Sequence, residues 1–144
     1  MITGIILFNC APLPQLETAL KFHLNKAEGL NLFTAYGDNY VSINHQRYDN
    51  PSIMVTPDIV ITDWAAPCFA DLSAAHCESL LKYEPEIILL GTGKHLHFPH
   101  PSITAPIAHA RIGLEVMDNQ AACRTYNILV SEGRRVMAVL LHIH

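Results

Sequence analysis

The sequence predicts a single α/β domain in which a β meander precedes alternating strands and helices. Three observations predict it. Gly113–Leu141 reads as strand, capped helix and strand, with polar residues at the joints. Ile87–Leu90 is an unbroken apolar run closed by Gly91, the pattern of a strand covered on both faces. Half of the 144 residues are apolar and 15% are charged, which is the composition of a chain with a packed core. At this length about 68–70% of the unfolded surface can be buried, so the fold requires no metal or disulfide framework.

Residues 1–20 read as an N-terminal appendage. Pro12 and Pro14 break an early apolar run, and Leu16–Leu24 has the spacing of a short helix. The domain proper is expected over residues 21–144. Leu32–Tyr36, Gly37-Asp38-Asn39 and Tyr40–Asn44 read as a hairpin, because aromatic and β-branched residues flank a turn that tolerates positive φ. Ser52–Val55 and Ile59–Thr62 are two further short strands about the Pro57-Asp58 turn. Ala65–Tyr83 is helical in type, with Pro67 near its start, Pro85 as its stop, and Leu72, Ala75, Leu80 and Leu81 on one face. After the strand at 87–90, His95–Pro101 is expected as a loop and Pro106–Ala110 as a short helix.

Leu114–Met117 is the next strand, and Asp118 or Asn119 can cap the helix that follows it. Around that helix Ala121, Ala122, Cys123, Thr125, Tyr126, Ile128, Leu129 and Val130 cover more than half of the circumference. The helix is therefore expected to be mostly enclosed, with Gln120, Arg124, Asn127 and Ser131 as a narrow polar stripe. Glu132 falls within the apolar arc and is expected to pair with Arg134 or Arg135. Gly133 suits a left-handed helix end, and Val136–Leu141 is the last strand. The alternation argues for a mixed or parallel sheet with helices on its faces.

Charge and cysteine usage narrow the function. The formal net charge of −4 supplies no basic field, which excludes nucleic acid as the expected partner. No stretch reaches the roughly 18 apolar residues of a transmembrane span. Cys10, Cys68, Cys77 and Cys123 form no CxxC pair and match no zinc module, so free buried thiols are expected. The N-terminal run lacks the cationic start of a secretory signal, and the expected compartment is the cytoplasm.

Several separated motifs stand in order along the chain: FTAYGDNYVSIN, the Asp63-Trp64 pair, EIILLGTG, GLEVMD, AACRTYNIL and EGRRVMAVLL. Through these, over roughly Lys21–Ile143, the chain resembles the small α/β family that includes the mitochondrial respiratory complex I assembly factor 3. The resemblance implies a three-layer fold (β+α/β/α): a mixed central sheet, helices on one side, and a helix with the N-terminal β meander on the other. It implies a chaperone-like role through protein contacts. It carries over no catalytic residues and no cofactor. The chain departs from the family pattern in its longer N-terminus and in the histidines that follow Gly93.

The chemistry-bearing motifs each have a plain structural alternative. Gly91-Thr92-Gly93 with Lys94 follows a buried strand, and exposed amides there can hold an anion; the alternative is a tight strand exit without a ligand. The loop is no GxGxxG fingerprint, since Leu96 occupies the later position, and it lacks a Walker ending. His95, His97 and His100 spell HxHxxH, but no carboxylate lies between them and Pro99 and Pro101 stiffen the segment; a solvated loop with no metal is expected. His142 and His144 carry little signal. Asp118 is either a general base or a cap, and a cap accounts for its position. Cys123 is a nucleophile only if a histidine reaches it; an inert core thiol is expected. Gln120, Arg124 and Asn127 either read a partner or form a solvated stripe. Trp64 is expected in the core.

Two strand exits, Leu90 into Gly91–Lys94 and Met117 into Asp118-Asn119, are expected to lie side by side and line a concave surface with Lys94 at its rim. A helix start and a glycine loop there would both favour an anion or a peptide carboxylate. Two functions follow. The first is a protein that acts by binding another protein, in the manner of an assembly factor. The second is a small-anion or nucleotide-like ligand module, or an enzyme, using Gly91–Lys94 and Met117–Asn119.

Overall fold

The computed structural model describes residues 29–143 apart from 63, 65 and 67, and the expected N-terminal appendage lies outside them. Among the described residues, eight strands and three α-helices follow one another: β1 (Phe33–Tyr36), β2 (Val41–Ile43), β3 (Gln46–Tyr48), β4 (Ile53–Val55), β5 (Val60–Ile61), α1 (Ala74–Ser79), β6 (Ile87–Gly91), α2 (Pro101–His109), β7 (Gly113–Met117), α3 (Asn119–Ser131) and β8 (Val136–Leu140). β1, β2 and β3 form an antiparallel meander, and the other five strands form a mixed sheet in the order β5-β4-β8-β6-β7. β8 occupies the middle, parallel to β6 and antiparallel to β4.

Three layers result, as the resemblance implies. One face of the five-stranded sheet packs Ile53, Val55, Leu89 and Ala138 against Ala122, Cys123, Tyr126 and Val130 of α3 and against Phe33, Val41 and Ile43 of the meander. The other face packs Met54, Ile88, Leu90, Met137 and Val139 against Leu72, Cys77, Leu80 and Ile107 from the α1–α2 side. Alternate residues of each strand feed the two cores, which is why β6 and β8 are apolar without interruption.

The hairpin, β4, β6, β7, α3 and β8 stand where the patterning puts them, and five details differ. The meander gains β3, because Asn44 and His45 both take positive φ (50° and 70°) and turn the chain back on itself. Gln-Arg-Tyr carries no apolar alternation, so the sequence hides this edge strand. The expected helix over 65–83 is broken into a 3-10 turn at Phe69–Asp71, α1, and a second 3-10 turn at Leu81–Tyr83. Ser73 resets the chain there: its hydroxyl accepts from the His76 amide while the His76 ring accepts from the Ser73 amide, a reciprocal cap that starts a new helix. Ala75 is consequently exposed, and the buried set is Leu72, Cys77 and Leu80.

α2 begins five residues before its expected start. Nδ1 of His100 accepts from the Ser102 amide and Pro101 takes the first helical position, where its missing N–H costs nothing. α3 is enclosed on fewer sides than its composition suggests. Ile128 is 51% exposed, because the sheet and the β1 flank cover only the arc of Ala122, Cys123, Tyr126 and Val130. Glu132 is exposed too, and Arg134 and Arg135 both turn to Glu86 instead. Among the described residues, no helix is long and apolar enough to cross a membrane.

Candidate functional site

The parallel pairing of β6 with β7 sets Gly91 opposite Met117, so the two strand exits leave the sheet side by side. Gly91 is buried, and a Cβ there would meet Leu140 Cδ2 at 2.7 Å and run into the Asn119 amide. Glycine is required because the Asn119 side chain lies directly against the strand. Gly93 has φ +96°, and a Cβ on it would press on His142 Cβ at 2.9 Å.

Asn119 ties the exits together. Its backbone amide donates to Gly93 O at 2.9 Å, its Oδ1 accepts from the Gly93 amide at 3.0 Å, and its Nδ2 donates to Leu141 O at 2.8 Å. Asp118 caps α3, with Oδ1 accepting from the Ala121 amide at 2.9 Å. The Thr92 amide donates to Met117 O at 2.9 Å. The amides of Thr92, Gly93, Asn119 and Ala121, which the sequence offers to an anion, are thus engaged with one another's loops.

What remains open is made of side chains. A crevice of about 210 Å³ lies between these exits and the tip of the β1–β2 hairpin, lined by Tyr36, Asp38, Tyr40, Lys94, Gln120 and His142 among others. Lys94 stands at its rim with Nζ 3.9 Å from Asp38 Oδ1, both side chains mostly exposed. Asp38 and Asp118 therefore outweigh the one lysine among the crevice's carboxylates and ammonium groups. Next to it, Arg124 Nη1 donates to Tyr36 Oη at 3.4 Å, and the Arg47 guanidinium lies over the Tyr40 ring at 4.1 Å from its centroid.

The polar stripe of α3 divides. Gln120 and Arg124 are exposed beside the crevice. Asn127 faces β1, accepting from the Phe33 amide at 2.9 Å and donating to Phe33 O at 2.8 Å, and Ser131 donates to Asn127 O at 2.8 Å. The hairpin-tip residues Tyr36, Asp38 and Tyr40, and His142, are absent from the sequence reading of the site. The turn signal marks the hairpin tip but not what it leans against, and nothing in the spacing of His142 marks it.

The other candidates have structural partners. Cys123 is buried, and burial pushes its thiol up to about 12, with Arg124 offsetting part of that and Asp118 adding to it. Burial likewise pushes Cys77 up to about 11. His97 stacks on Phe69 at 5.4 Å and His100 caps α2, and among the described residues no three histidine, cysteine or carboxylate side chains converge as metal ligands. Trp64 packs partly buried against the α1 side, 5.6 Å from the His76 ring. A larger hollow of about 370 Å³ lies at the opposite end of the parallel strands, among Leu30, Asp58, Tyr83, Arg134 and Arg135. It is remote from both strand exits, and both of its arginines pair with Glu86, so we place the candidate site at the smaller crevice.

A family model described as "Protein of unknown function (DUF498/DUF598)" matches residues 33–141. A crystal structure of a Bordetella parapertussis protein is similar at 39% identity and a TM-score of 0.73, covering 79% of this chain and 97% of that one. The "13 kDa major membrane protein" of Francisella tularensis subsp. holarctica is 29% identical over 109 residues, 76% of this chain and 89% of that protein. The "NADH dehydrogenase [ubiquinone] 1 alpha subcomplex assembly factor 3" of Danio rerio is 26% identical over 127 residues, 87% of this chain and 72% of that protein.

Proposed function

This chain belongs to the DUF498/DUF598 family of proteins of unknown function, and from that membership we propose that it acts by binding another protein, as an assembly factor does. The carrying observation is the rim of the strand-exit crevice. Tyr36 and Arg124 meet there on a β-hairpin and a helix that Asn127 fastens together. Tyrosine and arginine are the residues that most often anchor protein interfaces, since each combines a broad apolar body with a directional polar end. Gln120, Tyr40 and Arg47 extend the same surface. The relatives named as assembly factors of NADH dehydrogenase support a partner of the same kind, a subunit on its way into a multi-subunit complex.

The small-anion reading of Gly91–Lys94 and Asp118-Asn119 has less to stand on. The Thr92, Gly93, Asn119 and Ala121 amides are engaged, and Asp38 sits beside the one lysine. A pair of photo-cross-linkable chains tests the choice. With the reactive residue at Gln120, a protein adduct from native lysate is expected, and substituting Arg124→Ala should weaken it by about thirtyfold, the effect of losing an interface anchor. With the reactive residue at Ser79, on the opposite face, no such adduct is expected. Equal capture at both positions would reject the assigned surface, and phosphate binding that disappears with Lys94→Ala would favour the small-anion reading.

A further inference from the structure

The first described residues stand at the wall of the larger hollow. Leu30 lines it together with Pro57, Ile59, Tyr83, Pro85 and Val130, so its walls are largely apolar. Ile59 is 39% exposed there. The backbone at this point is fixed. The Asn31 amide donates to Pro57 O at 2.9 Å, Asn31 Nδ2 donates to Thr56 O at 2.9 Å, and Tyr126 Oη donates to Asn31 O at 2.9 Å. Whatever precedes Gly29 in the chain is therefore tethered at the edge of the hollow.

Gly29 has φ +81°. A left-handed glycine is the common residue just past the end of a helix. The sequence before it carries the matching pattern. Leu16, Leu20, Leu24 and Ala27 are spaced by four, four and three positions. At about 100° per residue they fall within about 80° of arc, a single narrow apolar stripe. Phe22 falls on the opposite side, and Lys26 falls in the last turn, where a cation suits the helix dipole. A rise of about 1.5 Å per residue sets Leu24 about 7–8 Å from Gly29, within reach of the hollow, with Leu20 one turn beyond it. An amphipathic stripe needs an apolar surface to cover it, and the surface nearest its tether is this one.

We propose that the hollow of about 370 Å³ is the seat of the chain's own Leu16–Ala27 segment, a helix that lays Leu24 and Leu20 against Leu30, Ile59 and Tyr83. The tether makes the contact intramolecular, which gives this segment a high effective concentration over any separate partner. The folded domain then begins near Leu16 rather than at Lys21, and the hollow is closed to other ligands. The Tyr36–Arg124 surface lies at the other end of the parallel strands, so binding there and seating here can fail separately.

The full chain, carrying a photo-reactive residue at position 24, is mixed with an equal amount of the same chain isotope-labelled, then irradiated, and the cross-linked peptides are mapped. The expected adduct lies within one chain and joins position 24 to Thr56–Ile59, Tyr83–Pro85 or Val130–Val136. With the reactive residue at position 22, on the opposite side of the helix, that adduct should be absent. Arg124→Ala should leave it unchanged. Leu24→Ser should lower the folding equilibrium constant in urea by about tenfold or more, the effect of withdrawing one buried leucine side chain. Phe22→Ser should change it by less than about threefold, as at other surface positions. The proposal is overturned if adducts at position 24 map elsewhere in the chain, or if they chiefly join labelled to unlabelled chains. It is also overturned if a lysate protein is captured in place of the intrachain adduct, or if Leu24→Ser unfolds like the parent.

Discussion

One face of the central sheet carries α3 and the meander; the other carries α1 and α2. On the first face the layers are stitched by directional bonds: Asn127 to both backbone groups of Phe33, Tyr126 Oη to Asn31 O at 2.9 Å, and Asn31 Nδ2 to Thr56 O at 2.9 Å. On the second face the helices are held mainly by apolar contact among Leu72, Cys77, Leu80, Ile107 and the strand residues beneath them. The difference follows from what each layer brings. A helix pair can bury a whole apolar stripe. A short three-stranded sheet fully buries Phe33, Val41 and Ile43 and covers Tyr36 and Tyr48 in part, so it needs polar contacts that fix its position as well as its depth.

The largest test of this contrast is at Tyr126, fully buried and edge-on to Phe33 at 5.1 Å. Tyr126→Ala should cost about 3–5 kcal/mol in urea unfolding, as for other large aromatic truncations. Tyr126→Phe, which keeps the ring and strands Asn31 O, should cost about 1–3 kcal/mol. On the other face Leu80→Ala should cost about 2–5 kcal/mol with no polar component to separate. If Tyr126→Phe is as stable as the parent, the stitching is incidental and both faces are held alike.

A smaller effect, more local, is expected at Asn127. Asn127→Leu leaves both polar groups of Phe33 without their partner, at about 1–3 kcal/mol for each buried group stranded. Hydrogen exchange should show the loss first as faster exchange through β1, with β6 and β8 protected as before. Uniform loss of protection would mean that the meander and the central sheet unfold as one unit.

A last test uses one thiol on each face. Burial raises Cys77 to about 11 and Cys123 to about 12 from an ordinary value of 9.0. Above about pH 9 the unfolded chain loses thiol protons that the folded chain keeps. The stabilisation is complete below the unfolded value and declines as pH rises towards the folded ones, by roughly 1.4 kcal/mol per pH unit for each thiol. Urea midpoints should therefore fall between about pH 9 and pH 11, and Cys77→Ala and Cys123→Ala should each remove part of that slope. A slope unchanged by Cys123→Ala would mean that water reaches the α3 face more readily than its packing implies.

Much of this was legible in the residues. The hairpin, β6, and the β7–α3–β8 unit announce themselves through local signals: period, cap and glycine. The adjacency of Gly91 and Met117 follows from a topological rule applied to those elements. What escaped was non-local or chemically atypical. β3 has no apolar alternation, and α2 begins on a histidine cap that reads as loop. The long helix is broken because Ser73 and His76 cap each other. Asn127 looks like a surface residue until its partner, 94 positions away, is known. The amides at the strand exits looked free because the sequence does not say that Asn119 reaches across to Gly93 and Leu141. In each case the deciding partner lies on another element, where no pattern within one segment can point.

The position of β8 has a consequence for how the molecule is made. The strand that comes last in chain order lies in the middle of its sheet, between β4 and β6. During synthesis β4–β5 and β6–β7 can each pair locally, but each half keeps an open inner edge until Val136–Leu140 has left the ribosome. Those inner edges, Ile53–Val55 and Ile87–Gly91, are almost wholly apolar, the kind of unpaired strand that recruits other chains. Closure of the sheet is thus a late, long-range event, and a nascent chain stalled short of Val136 exposes two adhesive edges at once.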